Sequence, residues 1–305
     1  MFSINNSIYS LLIAIYLLLS TVNTFAQKDN EFWFAVPPVT EAHSAEGSCG
    51  CISNNRCGAA PASFNFTNTN NVPATVTIEQ PANAYDAITN PTGFHPIVIT
   101  IPANSFHREV LWGNNLCDPL ISAKRKLFEN RIDPGDPTKV LKKGIHITST
   151  EFITVYYEME EQNNSDIYAL KGGNGLGDLF YVPFQTNKHN HNFGSNQPAY
   201  SSIDIVASDG GNTRVWVYPT EEIIGYGQPD SFYIDLKQGE SVSLSPGKVK
   251  ADGTYDFYGA KGVRLAGTKI RVEGGKRVAV TISDDSVHGD SGDRKSTRLN
   301  SSHYS

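Results

Sequence analysis

"TNTNNVPATVTIEQPAN", residues 67–83, and "ASDGGNTRVWVYPTE", residues 207–221, share one plan: an Asn- or Gly-rich turn feeds a strand-like run that closes on Pro. Inside each run apolar and polar side chains alternate, the period of a strand with one buried face. Similar runs follow each of them in the same order. After "ATVTI" (74–78) come "PIVITI" (96–101), "GIHIT" (144–148) and "FITVYYE" (152–158). After "TRVWV" (213–217) come "FYIDL" (232–236), "GTKIRV" (267–272) and "KRVAVTI" (276–282), and corresponding runs start between 123 and 139 residues apart. The turn "TIPANSF" (100–106) likewise parallels "DLKQGES" (235–241). Four elements kept in order at such steady spacing predict an all-β protein of two tandem similar antiparallel units, about 63–160 and 201–285. Sandwich-like units fit best, with a propeller- or barrel-like arrangement as the alternative.

One helix interrupts the strands. "DPLISAKRKLFENR", 118–131, offers Asp118 as N-cap and Pro119 at the first helical position. Spacing puts Leu120, Ile121, Leu127 and Phe128 on an apolar face and leaves Lys124, Arg125 and Lys126 as a solvated one.

The first 26 residues carry no charge, Ile8 to Leu19 is an apolar run, and Thr24 and Ala26 supply the small residues of a signal-peptidase site. Residues 1–26 therefore read as a signal peptide, with the mature chain secreted or held at the cell surface and without a membrane span. The net charge of −6, with no basic stripe, argues against a nucleic-acid partner. Cys49, Cys51, Cys57 and Cys117 are the four cysteines. In an exported chain they are expected as two disulfides, in any of three pairings, with one of Cys49 and Cys51 reaching Cys117 as the preferred bridge. Three close thiolates holding zinc is the alternative, at a spacing unlike the usual structural site.

At this point "NEFWFAVPPV" (30–39), "GIHITSTEFITVYYEMEE" (144–161), "DIYALKGGNGLGDLFYVPFQ" (166–185) and "VRLAGTKIRVEGGKRVAVTISDDSV" (263–287), together with the strand runs already quoted, carry a resemblance. They resemble the N-terminal domain of the IgGFc-binding protein family, in its bacterial branch of gliding-motility-associated secreted and surface proteins. The resemblance spans about residues 30–290, inside a domain of 27–292. It implies an all-β extracellular adhesion or matrix module, with no catalytic residue to carry over and no motif that would transfer antibody Fc binding. Relatives continue with further strands after "DDSV", so the second unit is expected to be truncated, with an open edge next to Arg277–Ile282. Residues 293–305 read as an artefact: Asp293 to His303 match the translation of a sequencing adapter.

Candidate chemistry is sparse. "GGNGLG" at Gly172 looks like a phosphate-cradling loop but runs into "DLFYVPF", a strand rather than a helix, so a tight turn is expected. His189 and His191 could share a metal, against a plain solvated loop. Asp284, Asp285 and Asp290 could gather oxygens for calcium, although their spacing fits no EF-hand and an Asp- and Gly-rich turn is the better reading. No cofactor is expected.

Trp33, Trp112 and Trp216 are the large platforms on which a sugar could stack. Val215 and Val217 point to the opposite face from Trp216, which leaves Trp216 as the candidate binding residue. The function expected is non-catalytic binding, adhesion or structural work by a secreted or surface protein, its partner an extracellular glycan or protein. A carbohydrate-binding module of a longer secreted enzyme is the alternative. A hydrolase would require histidines and carboxylates converging in a cleft.

Overall fold

The computed structural model describes residues 28–39, 61–113, 119–133, 135–160, 165–184, 186, 188–190, 199–285 and 287. Residues 1–26, expected to be a signal peptide, the four cysteines, Asp118, His191, Asp290 and the 293–305 tail lie outside them.

The first unit is made of β1 (Asp29–Ala35), β2 (Ala62–Asn68), β3 (Ala74–Glu79), β4 (Ile97–Ile101), β5 (Ser105–Trp112), β6 (Gly144–Met159) and β7 (Asp166–Ala169). The 16-residue β6 belongs to two sheets. Its first half pairs with β1 and β3, giving sheet A in the order β1–β6–β3–β4. Its second half pairs with β2 and β7, giving sheet B in the order β7–β6–β2–β5. All these pairs are antiparallel, and the inner faces enclose an aromatic-rich core of Phe32, Phe34, Phe64, Phe66, Tyr157 and Tyr168. Ring centroids of Phe34 and Tyr157 lie 5.2 Å apart in a tilted arrangement, which favours the quadrupoles over a flat sandwich.

The second unit repeats the plan with β8 (Leu176–Gly177), β9 (Leu179–Tyr181), β10 (Ser201–Ala207), β11 (Asn212–Tyr218), β12 (Phe232–Lys237), β13 (Ser241–Leu244), β16 (Lys269–Val272) and β17 (Val278–Asp284). A small hairpin, β14 (Gly247–Val249) with β15 (Tyr255–Phe257), is inserted. Sheet C runs β9–β16–β11–β12 and sheet D runs β8–β17–β10–β13. Sheet C has the strand order of sheet A, and sheet D that of sheet B. The core here is aliphatic, built on Ile203, Ile205, Val215, Val217, Leu236 and Ile270.

Register makes the correspondence residue by residue. Thr77 pairs with Thr148 and Val98 as Trp216 pairs with Arg271 and Tyr233. This aligns Ile97 with Phe232. Asn104, at φ 50°, occupies the hairpin position of Gly239, at φ 78°. Both turns need the left-handed region, which Gly enters freely and Asn more readily than most residues. "GIHIT" and "FITVYYE" form one continuous strand, whereas "GTKIRV" and "KRVAVTI" are separated by Gly274 and Gly275, at φ 71° and 67°.

The units meet where Trp33 and Ala35, on the outer face of sheet A, pack on Val206 and Ala279, on the outer face of sheet D, with Leu176 beside them. The layers therefore stack in the order B, A, D, C. Leu141 and Ser241 exchange two backbone hydrogen bonds of 2.8 Å across this junction. Asn130 fastens it further. Its backbone N–H donates to the Val36 carbonyl at 2.8 Å, its side-chain amide donates to Asp204 Oδ1 (2.8 Å) and the Val242 carbonyl (2.9 Å), and its Oδ1 accepts from the Ser241 hydroxyl at 2.7 Å. Burial pushes the Asp204 carboxyl up to about 7, against the opposing hydrogen bond from Ser202.

Three expectations are corrected. The helix α1 (Pro119–Phe128) does not present Leu120 to the core: that residue is 79% exposed, and the packing comes from its last turn, where Phe128 meets Phe94 edge-on. Arg125 is fully buried rather than solvated, drawn in by the buried Glu129 one turn on, at 3.7 Å. Lys124 and Lys126 are exposed, as expected. The edge next to Arg277–Ile282 is closed in part: Gly177 and Leu176 of β8 pair with Val278 and Ala279, and Val280–Ile282 have no strand partner on that side among the described residues.

Candidate functional site

The outer face of sheet C is built by strict alternation. In β11, Thr213, Val215 and Val217 are buried, which sends Arg214, Trp216 and Tyr218 outwards. In β12 the same parity turns Tyr233 and Asp235 out, in β16 Lys269 and Arg271, and in β9 Leu179 and Tyr181. Register assembles them into rows across the sheet. One row reads Leu179, Arg271, Trp216, Tyr233, and the next reads Tyr181, Lys269, Tyr218.

These side chains hold each other in place. Trp216 and Tyr233 lie with centroids 5.2 Å apart, and the indole N–H of Trp216 donates to Glu273 Oε1 at 2.6 Å. Arg214 forms a two-pronged ion pair with Asp235, both contacts 2.9 Å, and its guanidinium sits 4.1 Å from the Tyr233 ring centre. That hydrogen bonding lowers the Asp235 carboxyl and raises Arg214 from their ordinary values. Lys269 Nζ lies 3.8 Å from the Tyr218 ring centre. Fixed rotamers lower the ordering cost of receiving a ligand.

An open cleft of about 600 Å³, lined by Asp178, Leu179, Arg271, Val272, Glu273, Gly274 and Gly275, adjoins Trp216 through Arg271, its cross-strand neighbour, and Glu273, its hydrogen-bond partner. It offers carboxylates to accept and a guanidinium to donate, beside rings that present a flat apolar surface. Few placed polar groups next to aromatic surface are the usual makings of a ligand site. The cleft contributes two carboxylates, Asp178 and Glu273, and no histidine.

Of the tryptophans, Trp33 is 4% exposed and Trp112 is buried, so both serve packing, and Trp216 stands on the open face. The "GGNGLG" segment forms a 3-10 turn at Gly172–Gly175 followed by β8, and the Gly173 N–H donates to Asp29 Oδ2 at 2.6 Å. Asp284 has both oxygens engaged by protein donors, Asn190 at 2.7 Å and Arg264 at 2.8 Å, and Asp285 is buried. His189 is exposed. Among the described residues no group of three or more His, Cys, Asp or Glu is placed to hold a metal, and no helix is long and apolar enough to cross a membrane. Tyr181, Tyr218, Tyr233, Arg271, Asp178 and Glu273 were not identified from sequence. The signal available was parity with Trp216 in "FYIDL" and "GTKIRV". Comparison with family models, with curated proteins and with solved structures found no match to the chain.

Proposed function

We propose that this chain is a non-catalytic binding module of a secreted or cell-surface protein, and that its ligand is a glycan held on the outer face of sheet C. The observation that carries the reading is the pair Trp216 and Tyr233 beside a cleft lined with Asp178, Arg271 and Glu273. A pyranose ring has an apolar face to lay on an aromatic side chain and hydroxyls to exchange hydrogen bonds with carboxylates and a guanidinium. The apolar leader of residues 8–19 and the resemblance to the IgGFc-binding N-terminal domain family both support an extracellular setting. The same face would suit a carbohydrate-binding module carried by a longer enzyme. Antibody Fc and nucleic acid have no part in the reading: no motif carries Fc binding over, the bases of the face are accompanied by Asp235 and Glu273, and the chain is acidic.

The test is a glycan array probed with the exported chain, followed by calorimetry on the retained sugar. Trp216→Ala is expected to weaken binding at least tenfold, about 1.4 kcal/mol or more, with the melting temperature close to that of wild type. A chain that retains no glycan, or retains one equally well after Trp216→Ala, defeats the proposal.

A further inference from the structure

The stacking order B, A, D, C leaves one A-type face and one B-type face uncovered among the described residues: the outer face of sheet C and the outer face of sheet B. The junction inside the chain is a contact between those same two types, A against D. We infer that the outer face of sheet C of one copy docks on the outer face of sheet B of a second copy, repeating the internal junction head to tail. This goes beyond the glycan reading and does not rest on it.

Register identifies the residues that would meet. Trp33 lies opposite His146, itself opposite Glu79; Tyr181 lies opposite Lys269, itself opposite Tyr218. Tyr181 thus holds in sheet C the position that Trp33 holds in sheet A, and it is 59% exposed where Trp33 is 4% exposed. On the receiving side, Val206 pairs with Ala279 in sheet D and Thr67 with Thr154 in sheet B, at the equivalent places. Phe106 lies directly across from Thr67, and Phe152 precedes Thr154 by two residues on the same face. These two rings are 77% and 54% exposed. They frame the threonine pair as an apolar seat for the Tyr181 ring.

Large exposed apolar side chains lie on both faces, with Leu179 beside Tyr181 on the β9 side of C and Val110 and Ile167 on B. Adjacent exposed apolar residues of this kind mark interaction surfaces. Because the two faces differ the contact is heterologous, and because they lie at opposite ends of the B, A, D, C stack, copies add end to end rather than turning back on themselves. The Asn130 clamp joins unlike segments of one chain, so the contact between copies lacks it and is the weaker, reversible version of the internal one. The Trp216 and Tyr233 half of sheet C matches Thr77 and Val98 in sheet A, and Val98 is exposed. Docking therefore uses the β9 side and leaves the aromatic pair accessible.

Sedimentation velocity of the full chain, produced by export so that its leader is processed, tests this over a concentration series. Wild type is expected to form species that grow with concentration and show no limiting size. Tyr181→Glu and Phe106→Glu, both at exposed positions, are each expected to keep the wild-type melting temperature and weaken self-association about tenfold or more. Mixed together they are expected to form a one-to-one pair and nothing larger, because each retains the face that the other lacks. Wild type that stays monomeric at its highest soluble concentration, a dimer that persists in Tyr181→Glu alone, or folded variants that fail to pair on mixing would each overturn the inference. Glycan binding that survives in Tyr181→Glu but is lost in Trp216→Ala separates the two proposals.

Discussion

The outer faces of sheets A and C have the same strand order and the same register, yet they are used in opposite ways. In sheet A the aromatic on the edge strand, Trp33, is stacked on His146 at 4.1 Å, bonded through its indole N–H to Glu31, and covered by the second unit. In sheet C the equivalent residue, Tyr181, lies in the open beside Lys269. Further along, Thr77 and Val98 in A become Trp216 and Tyr233 in C. A duplicated sheet that no longer has to glue the units together is free to change its outward residues, since those positions support neither core. The lesson is that function is to be sought where a repeat departs from its partner at outward-facing positions, and the cores confirm this by keeping their parity throughout.

The largest effect expected from this contrast is on stability. Trp33→Ala should cost about 3–5 kcal/mol in denaturant unfolding, because it empties a buried site between the units. Tyr181→Ala, at the matching position, should change stability by no more than about 0.5 kcal/mol. Similar losses from the two would break the comparison.

A smaller loss, about 1–3 kcal/mol, is expected from Asn130→Ala, which strands the hydrogen-bonding groups of Asp204 and Ser241 at the junction. Calorimetry sharpens the point: a shift no larger than that of a surface substitution would mean the junction does not depend on this clamp.

The last effect is one of pH. Asp204 has a carboxyl pushed up to about 7 in the folded chain, against 3.8 for an ordinary one. Below the ordinary value the group is neutral in both states. As the pH rises towards 7 the unfolded chain ionises first, so stability falls, and the contribution is gone above the folded value. Asp204→Asn removes the titration, and its melting temperature should decline less than that of wild type between pH 4 and 7. Parallel declines would show Asp204 to be ionised in the fold.

How much of this could be read in advance divides along a physical line. Strands of alternating residues were legible because burial of one face imposes period two, and the duplication was legible because "ATVTI" and "TRVWV" each begin a series in the same order. Trp216 was legible for the same reason, since its valine neighbours fix its direction. Its companions were not, because Tyr233 and Arg271 reach it only through strand pairing, and pairing is a property of the sheet rather than of any one segment. Arg125 reads as solvent-facing from helix spacing, and only the buried Glu129 with the chain folded over it reverses that. Asn130 sits in an irregular stretch after a helix, where no period constrains it, and its partners are 74 and 111 residues away.

The crossing between sheets is a place where the two units differ in what they can tolerate over evolution. In the first unit β6 passes from one sheet to the other as a single strand, so an inserted residue there would throw one half of its pairings out of register and turn its side chains over. In the second unit the same crossing is made by Gly274 and Gly275, exposed and paired in neither sheet, and they form one wall of the cleft beside Trp216. Residues can be added to that turn without disturbing β16 or β17, and each addition would reshape the cleft. The fold therefore carries a locked crossing in the first unit and an adjustable one in the unit that bears the proposed glycan face, a division that would let specificity diverge while the architecture stays constant.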